Sequence, residues 1–95
     1  MFEKLKQFKD LRDKAKEIQT SLAAETVEGA GGWGKVKITM DGNQNVTEVT
    51  IADDLVGDKA KLQDGVREAV NDAVKKAQRK MMEKMKDMGG LPGMS

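Results

Sequence analysis

The chain has 95 residues and a net charge of +1; 35% of its residues are charged and only 3% are aromatic. This length predicts a single domain with a modest hydrophobic core. The absence of Cys and His excludes disulfides and thiolate metal sites and removes the commonest general base, so no metal and no cofactor is expected. No long apolar run is present, which predicts a soluble cytoplasmic protein without a membrane-spanning segment or a signal peptide.

Residues 2–24 are predicted to form the first helix. Apolar residues recur every three or four positions along it and form one stripe: Leu5, Phe8, Leu11, Ala15, Ile18 and Leu22. The spacing is close to a heptad repeat, so this stripe would serve either as a coiled-coil seam or as the face that packs on the chain's own sheet. The sequence leaves both possibilities open.

A short first strand is predicted at residues 25–29, followed by a glycine-rich stretch at residues 29–34. This stretch fits the pattern G-x-G-x-x-G, but a nucleotide-binding loop of that pattern opens a helix, and here a strand follows. The glycines are therefore predicted to form a structural connection that needs unusual backbone angles. Trp33 is expected to cover the end of a small core, with stacking on a nucleic-acid base as the alternative.

A β-hairpin is predicted from residue 34 to residue 51. Apolar and polar residues alternate on its first strand, which places Val36, Ile38 and Met40 on one face. The return strand, residues 44–51, is predicted to place Thr47, Val49 and Ile51 on one face and Val46, Glu48 and Thr50 on the other. Residues 41–45 supply the loop between the strands.

One helical turn at Leu55 and Val56 is expected next, and Asp58 is predicted to cap a long helix over residues 59–87. Ten apolar residues form its stripe: Leu62, Val66, Ala69, Val70, Ala73, Val74, Ala77, Met81, Met85 and Met88. Such a helix is about 43 Å long, which is more than three short strands can cover. Because the core is sparse and both helices carry long stripes, an obligate homodimer is predicted. Residues 1–88 form the predicted domain, and residues 89–95 a disordered tail.

The C-terminal part of the long helix, residues 75–86, is here called the basic arm. It carries six basic residues against Glu83 alone: Lys75, Lys76, Arg79, Lys80, Lys84 and Lys86. On the residues alone, a solvated face is the simpler interpretation and a polyanion-binding surface is the alternative. The two serines have no base to activate them, and Asp53 and Asp54 are interpreted as a turn-forming pair, so no catalytic site is predicted.

Several stretches together resemble the YbaB/EbfC family of small bacterial nucleoid-associated proteins. They are the opening Met1-Phe2 before a charged helix, the glycine-rich lead-in with the V-K-I-T strand from Glu28 to Ile51, A-V-N-D-A at Ala69 to Ala73, and the tail G-G-L-P-G-M. The resemblance covers nearly the whole chain. At residues 52–54 the chain lacks the proline usual in the family, which is expected to affect only the local turn.

The resemblance implies an α+β fold, an α-β-β-β-α subunit in which two long helices flank a three-stranded antiparallel sheet. It also implies a homodimer with projecting helices that binds double-stranded DNA with little sequence preference, and no enzymatic activity, small-molecule substrate or membrane partner. DNA contacts are expected on the basic arm first. The second choice is the first helix, with Lys4, Lys6, Lys9 and Arg12. A prefoldin-like chaperone and a purely structural dimeric module remain as alternative functions.

Overall fold

A three-stranded antiparallel sheet forms the centre of the chain. Its strands are β1 (Thr26–Gly31), β2 (Val36–Asp41) and β3 (Val46–Ile51), and β2 lies in the middle. The structure, a computed structural model, describes residues 2–87, with side chains from residue 7 onward. The predicted tail at residues 89–95 lies outside this range.

The alternation predicted for β2 is confirmed. Val36, Ile38 and Met40 are buried, and the residues between them are more exposed. β1 differs from the prediction because it begins at Thr26 and continues to Gly31, so its last three residues come from the glycine-rich stretch. Gly29 and Gly31 pair with Ile38 and Val36 and therefore lie on the core face of the sheet.

A β-bulge changes the face of one residue on β3. Thr39 pairs with Glu48, whereas Met40 pairs with Val46, so Thr47 is the extra residue. Directly opposed residues of antiparallel strands share a face, which puts Val46 on the same face as Met40. The prediction that Val46 and Val49 lie on opposite faces is therefore wrong, because the strand pattern was read without a bulge.

The chain has three helices besides the sheet: α1 (Phe2–Ala23), α2 (Asp53–Val56) and α3 (Lys59–Asp87). The long helix has the predicted bounds. The predicted cap is also present, since the Lys61 N–H donates to the Asp58 carboxylate at 3.1 Å. α2 is one turn, as expected, but begins at Asp53, two residues earlier than predicted.

α3 packs against β1 at unusually short range. A Cβ atom at Gly31 would lie 2.1 Å from the Gly65 carbonyl oxygen, and one at Gly29 would lie 2.2 Å from that of Ala69. Small residues therefore occupy both sides of the contact, and Gly65, Ala69 and Ala73 of α3 are buried there. The unusual backbone angles predicted for this stretch occur further along, at Gly32 and Gly34, which have φ of +59° and +82°.

Among the described side chains of the α1 stripe, those at its C-terminal end are buried. Leu22 is buried and Ile18 half-buried. Phe8 is 72% exposed and Leu11 is 44% exposed. The Gly42 N–H donates to the Leu22 carbonyl at 2.9 Å, which fixes the end of α1 to the turn between β2 and β3. The remaining stripe of α1 does not pack on the chain's own sheet over the described residues.

Candidate nucleic-acid interface

The six basic side chains of the arm form two rows on α3. Residues three or four positions apart lie on the same side of a helix. The inner row consists of Lys76, Lys80 and Lys84. The outer row consists of Lys75, Arg79 and Lys86, with Met82 between the last two. The rows are neighbours on the helix, but their surroundings differ.

The inner row faces β1 and its preceding corner. The Lys76 Nζ donates to the Glu28 carbonyl at 2.8 Å and pairs with Asp72 at 3.2 Å. The Nζ atoms of Lys80 and Lys84 lie 3.9 Å and 3.1 Å from the Glu25 carboxylate. All three positive charges of this row therefore have anionic or carbonyl partners within the chain.

The outer row is exposed to solvent. Lys75, Arg79 and Lys86 are exposed, and no carboxylate of the described residues lies within 4.0 Å of their nitrogens. Arg79 and Lys86 line one shallow groove with Met82 and Glu83. Within the described part of the chain, this row presents three basic side chains that form no intramolecular ion pair.

The inner row continues a feature that the sequence analysis missed, the protection of the free edge of β1. The Asp72 carboxylate accepts the Ala30 N–H at 3.0 Å, and the Glu68 carboxylate accepts the Gly32 N–H at 3.0 Å. The bond from Ala30, together with the one from Lys76, holds the pKa of Asp72 below its ordinary value. With Lys76 on the Glu28 carbonyl, α3 satisfies alternate backbone groups of an edge strand. The sequence signal for this feature was a row of charged residues four positions apart on α3, namely Glu68, Asp72 and Lys76.

The predicted second-choice residues lie on α1. Lys9 and Arg12 are exposed, and the side chains of Lys4 and Lys6 lie outside the described residues. No hydrogen bond or ion pair in the described range connects Lys9 or Arg12 to the arm. Lys9 and Arg12 therefore have no direct polar contact with the arm within the described residues.

The prediction that Trp33 covers the core is wrong. Its side chain is 101% exposed, and it lies at the tip of the β1–β2 turn with φ of +60°. The Gly34 N–H donates to the Gly31 carbonyl at 3.1 Å and fixes this turn. Beside it is a recess of about 270 Å³. Charged groups of both signs border this recess, and Lys35 there pairs with Asp54.

The described residues contain no group of three or more side chains placed to hold a metal ion. None of the helices within residues 2–87 combines the length and apolar character that a membrane crossing requires.

Comparison with known proteins decides the family. The model of the YbaB/EbfC DNA-binding family matches residues 1–91. The chain belongs to this family. The resemblance identified from the sequence is thereby confirmed.

Curated bacterial relatives of this YbaB/EbfC chain include nucleoid-associated proteins. One from Gloeobacter violaceus is 38% identical over 60 residues, which cover 63% of this chain and 54% of the relative. Another from Dictyoglomus thermophilum is 40% identical over 55 residues, covering 58% of this chain and 53% of the relative. The chain thus spans about half the length of the curated relatives it matches.

A solved structure supports the fold. The crystal structure of an uncharacterized protein from Helicobacter pylori superimposes with a TM-score of 0.78 at 21% identity, covering 95% of this chain and 98% of the other. The predicted α+β class, with a three-stranded antiparallel sheet between an N-terminal and a long C-terminal helix, is confirmed. At this identity the likeness concerns the fold alone.

Residues 52–54, where the sequence departs from the expected YbaB/EbfC pattern, lead from β3 into α2. The Ala52 N–H donates to the Lys35 carbonyl at 2.8 Å, and the next residue begins α2. Leu55 of α2 is buried in the core. This segment therefore forms a short helical turn that carries a core residue.

Proposed function

We propose that this YbaB/EbfC chain is a nucleoid-associated protein that binds double-stranded DNA mainly through phosphate contacts and acts as a homodimer. Its place is the cytoplasm, at the nucleoid, and its roles are nucleoid organisation and gene regulation. The observation that carries the proposal is the outer row, which presents three exposed cations on one side of α3. The family description and the names of the relatives support the same function.

Phosphate contacts suit this row because they require charge and spacing rather than a pocket. Lys binds phosphate as a point charge, and Arg binds it with a planar fork of donors. Such contacts hold a protein on the duplex without reading bases. The lysines of the inner row already have partners within the chain. We therefore expect them to contribute less to DNA binding than the outer row does.

A homodimer is supported by apolar surface that the single chain leaves uncovered. α3 lies over β1 and β2, and Val46 and Val49 on the core face of β3 remain 50% and 51% exposed. Phe8 and Leu11 of α1 add to the exposed apolar area. Exposed apolar side chains of this size are typical of protein interfaces when they lie together. A dimer would also present two outer rows to one duplex.

Light scattering at micromolar concentration is expected to give about twice the chain mass of 10.4 kDa. Val49→Asp should shift the protein toward monomer, because a second copy would bury the new charge without a partner. Thr50→Asp is the matched control, since its side chain lies on the opposite face of β3. A wild-type protein that stays a folded monomer throughout this range would contradict the proposed dimer.

Duplex binding is expected to weaken steeply with salt. If two outer rows neutralise about four to six phosphates, log affinity plotted against log salt has a slope of about −4 to −5. Affinity then falls several-hundred-fold between about 50 and 200 mM salt. A gel-shift titration measures both, and duplexes of different base composition should behave alike.

The same titration separates DNA binding from a chaperone role, which the largely exposed Met82 on the arm would suit. An unfolded polypeptide added as competitor should leave duplex binding unchanged. Displacement of DNA by the polypeptide would favour the chaperone. Failure to bind duplex at the lowest salt would refute the proposed function.

A further inference from the structure

Glu25 occupies a fixed corner between α1 and β1. Its N–H donates to the Leu22 carbonyl at 3.1 Å, and its own carbonyl accepts the Gly42 N–H at 3.2 Å. A side chain at position 42 would clash with Leu22, since a Cβ there would lie 2.8 Å from the Leu22 carbonyl oxygen. The corner is therefore closely packed, and the position of the Glu25 backbone is well determined.

The Glu25 carboxylate reaches from this corner to two lysines of the inner row. Oε1 lies 3.1 Å from the Lys84 Nζ, and Oε2 lies 3.9 Å from the Lys80 Nζ. Each carboxylate oxygen thus serves one ammonium group. A DNA phosphate is an anion that would bind the same two ammonium groups in the same way. A phosphate at Lys80 and Lys84 would therefore have to displace Glu25.

We propose that Glu25 is an intramolecular competitor of DNA that withholds Lys80 and Lys84 from the duplex and so limits affinity. The proposal rests on the function proposed above and names a residue that tunes it. Lys76 differs from its two neighbours because its Nζ is also bonded to a backbone carbonyl of β1. Lys80 and Lys84 pair only with side chains: both pair with Glu25, and Lys80 also lies 3.9 Å from the Glu83 carboxylate one turn along α3. Because the Lys80–Glu83 pair is exposed, it holds Lys80 weakly, and one substitution at Glu25 makes both lysines available.

The competition is expected to change duplex affinity only moderately. The three side chains are partly exposed, with relative exposures of 31% for Glu25, 40% for Lys80 and 29% for Lys84. Ion pairs at such positions change an equilibrium by about two- to fivefold each. Release of both lysines should therefore strengthen duplex binding by about two- to tenfold at a fixed salt concentration.

Glu25→Gln tests the proposal, because the amide keeps the shape of the side chain and removes its charge. The variant is expected to bind duplex DNA about two- to tenfold more tightly than the wild type. Its log–log salt slope should be more negative by about 1 to 2 for each chain that contacts the duplex, since two further cations meet phosphates. Gel-shift titrations at several salt concentrations measure both quantities.

Glu28→Gln is the matched control. It removes one negative charge from β1, but the Glu28 carboxylate pairs with Lys37 at 4.0 Å and belongs to none of the ion pairs of Lys80 or Lys84. Its effect on binding shows what the change in net charge does alone. In a Lys80→Ala/Lys84→Ala background, Glu25→Gln should have no further effect, because the released groups are absent.

The outcomes distinguish this proposal from the one on which it rests. Loss of the outer row through Lys75→Ala/Arg79→Ala/Lys86→Ala reports on the proposed function. If that variant weakens binding and Glu25→Gln binds no more tightly than Glu28→Gln, the competition is refuted and DNA binding by the arm stands. If the wild type does not bind duplex DNA, both proposals are refuted. Melting temperatures of the variants verify that each remains folded.

Discussion

Gly31→Ala is expected to destabilise the chain more than an alanine at either Gly34 or Gly57, which lie outside the α3–β1 contact. The added Cβ would lie 2.1 Å from the Gly65 carbonyl oxygen and 2.7 Å from the Ala69 N. Both are backbone atoms of α3, so the obstacle cannot turn aside as a flexible side chain would. The helix must move away from β1, which opens the buried contact. We expect a loss of about 3 kcal/mol in the free energy of unfolding.

Alanine substitutions at two other glycines distinguish the effect of close packing from the effect of backbone strain. Gly57 has φ of −83°, and a methyl group added there would meet no atom within 4 Å, so Gly57→Ala should be nearly neutral. Gly34 also has open space but φ of +82°, so Gly34→Ala should cost about 1 kcal/mol through its backbone angle. Urea denaturation followed by circular dichroism measures all three. Equal stabilities for the Gly31 and Gly57 variants would contradict the packing described for α3.

The elements that the sequence predicted well are those whose pattern is local. Val36, Ile38 and Met40 alternate with polar residues, and a buried face follows directly from that period. α3 has a long helical stripe and a capping residue, Asp58, at its start. In both cases the residues that decide the structure lie within a few positions of each other, so no knowledge of the rest of the fold was needed.

β1 was harder to predict because its determinants lie on another element. Val27 is its only large apolar residue, so alternation gives little signal. Its glycines are explained by α3, which approaches Gly29 and Gly31 from residues about forty positions away in the chain. The prediction for Trp33 was wrong for a related reason. Its side chain type predicts burial, but the tight turn between β1 and β2 holds it away from the core.

The sequence predicted which basic residues make up the arm. It did not predict which of them have partners within the chain. Spacing along α3 separates the six basic residues into two rows, which the sequence could have revealed. Which row keeps its charges free depends on Glu25 and the Glu28 carbonyl, and these reach the arm only once β1 is paired beside α3. A long-range contact therefore decides which cations remain available to a partner.

Because the outer row forms no intramolecular ion pair, we expect the triple substitution Lys75→Ala/Arg79→Ala/Lys86→Ala to affect DNA binding most. It removes the whole outer row, and in a dimer it removes the row from both chains. We expect duplex affinity to fall about a hundredfold at about 100 mM salt and the salt slope to become shallower by several units. The loss should be similar for all duplex sequences, because phosphate contacts carry no base information.

The fold should survive this change. All three side chains are exposed, and none takes part in an ion pair within the described residues. Exposed substitutions away from such contacts usually change the free energy of unfolding by about 0.5 kcal/mol or less. Circular dichroism tests whether the variant keeps its fold, and light scattering tests whether it keeps its oligomeric state. If both are unchanged, a loss of binding is due to lost contacts with DNA.

Lys59→Ala/Lys61→Ala/Arg67→Ala is the matched control, with the same change in charge at the opposite end of α3. Equal weakening by both triple variants would mean that net charge, and not the arm, governs binding. If the outer-row variant instead keeps its affinity and salt slope, the outer row is a solvated face. The contacts would then belong to α1, where Lys9→Ala/Arg12→Ala, with Lys4 and Lys6 added, becomes the deciding variant.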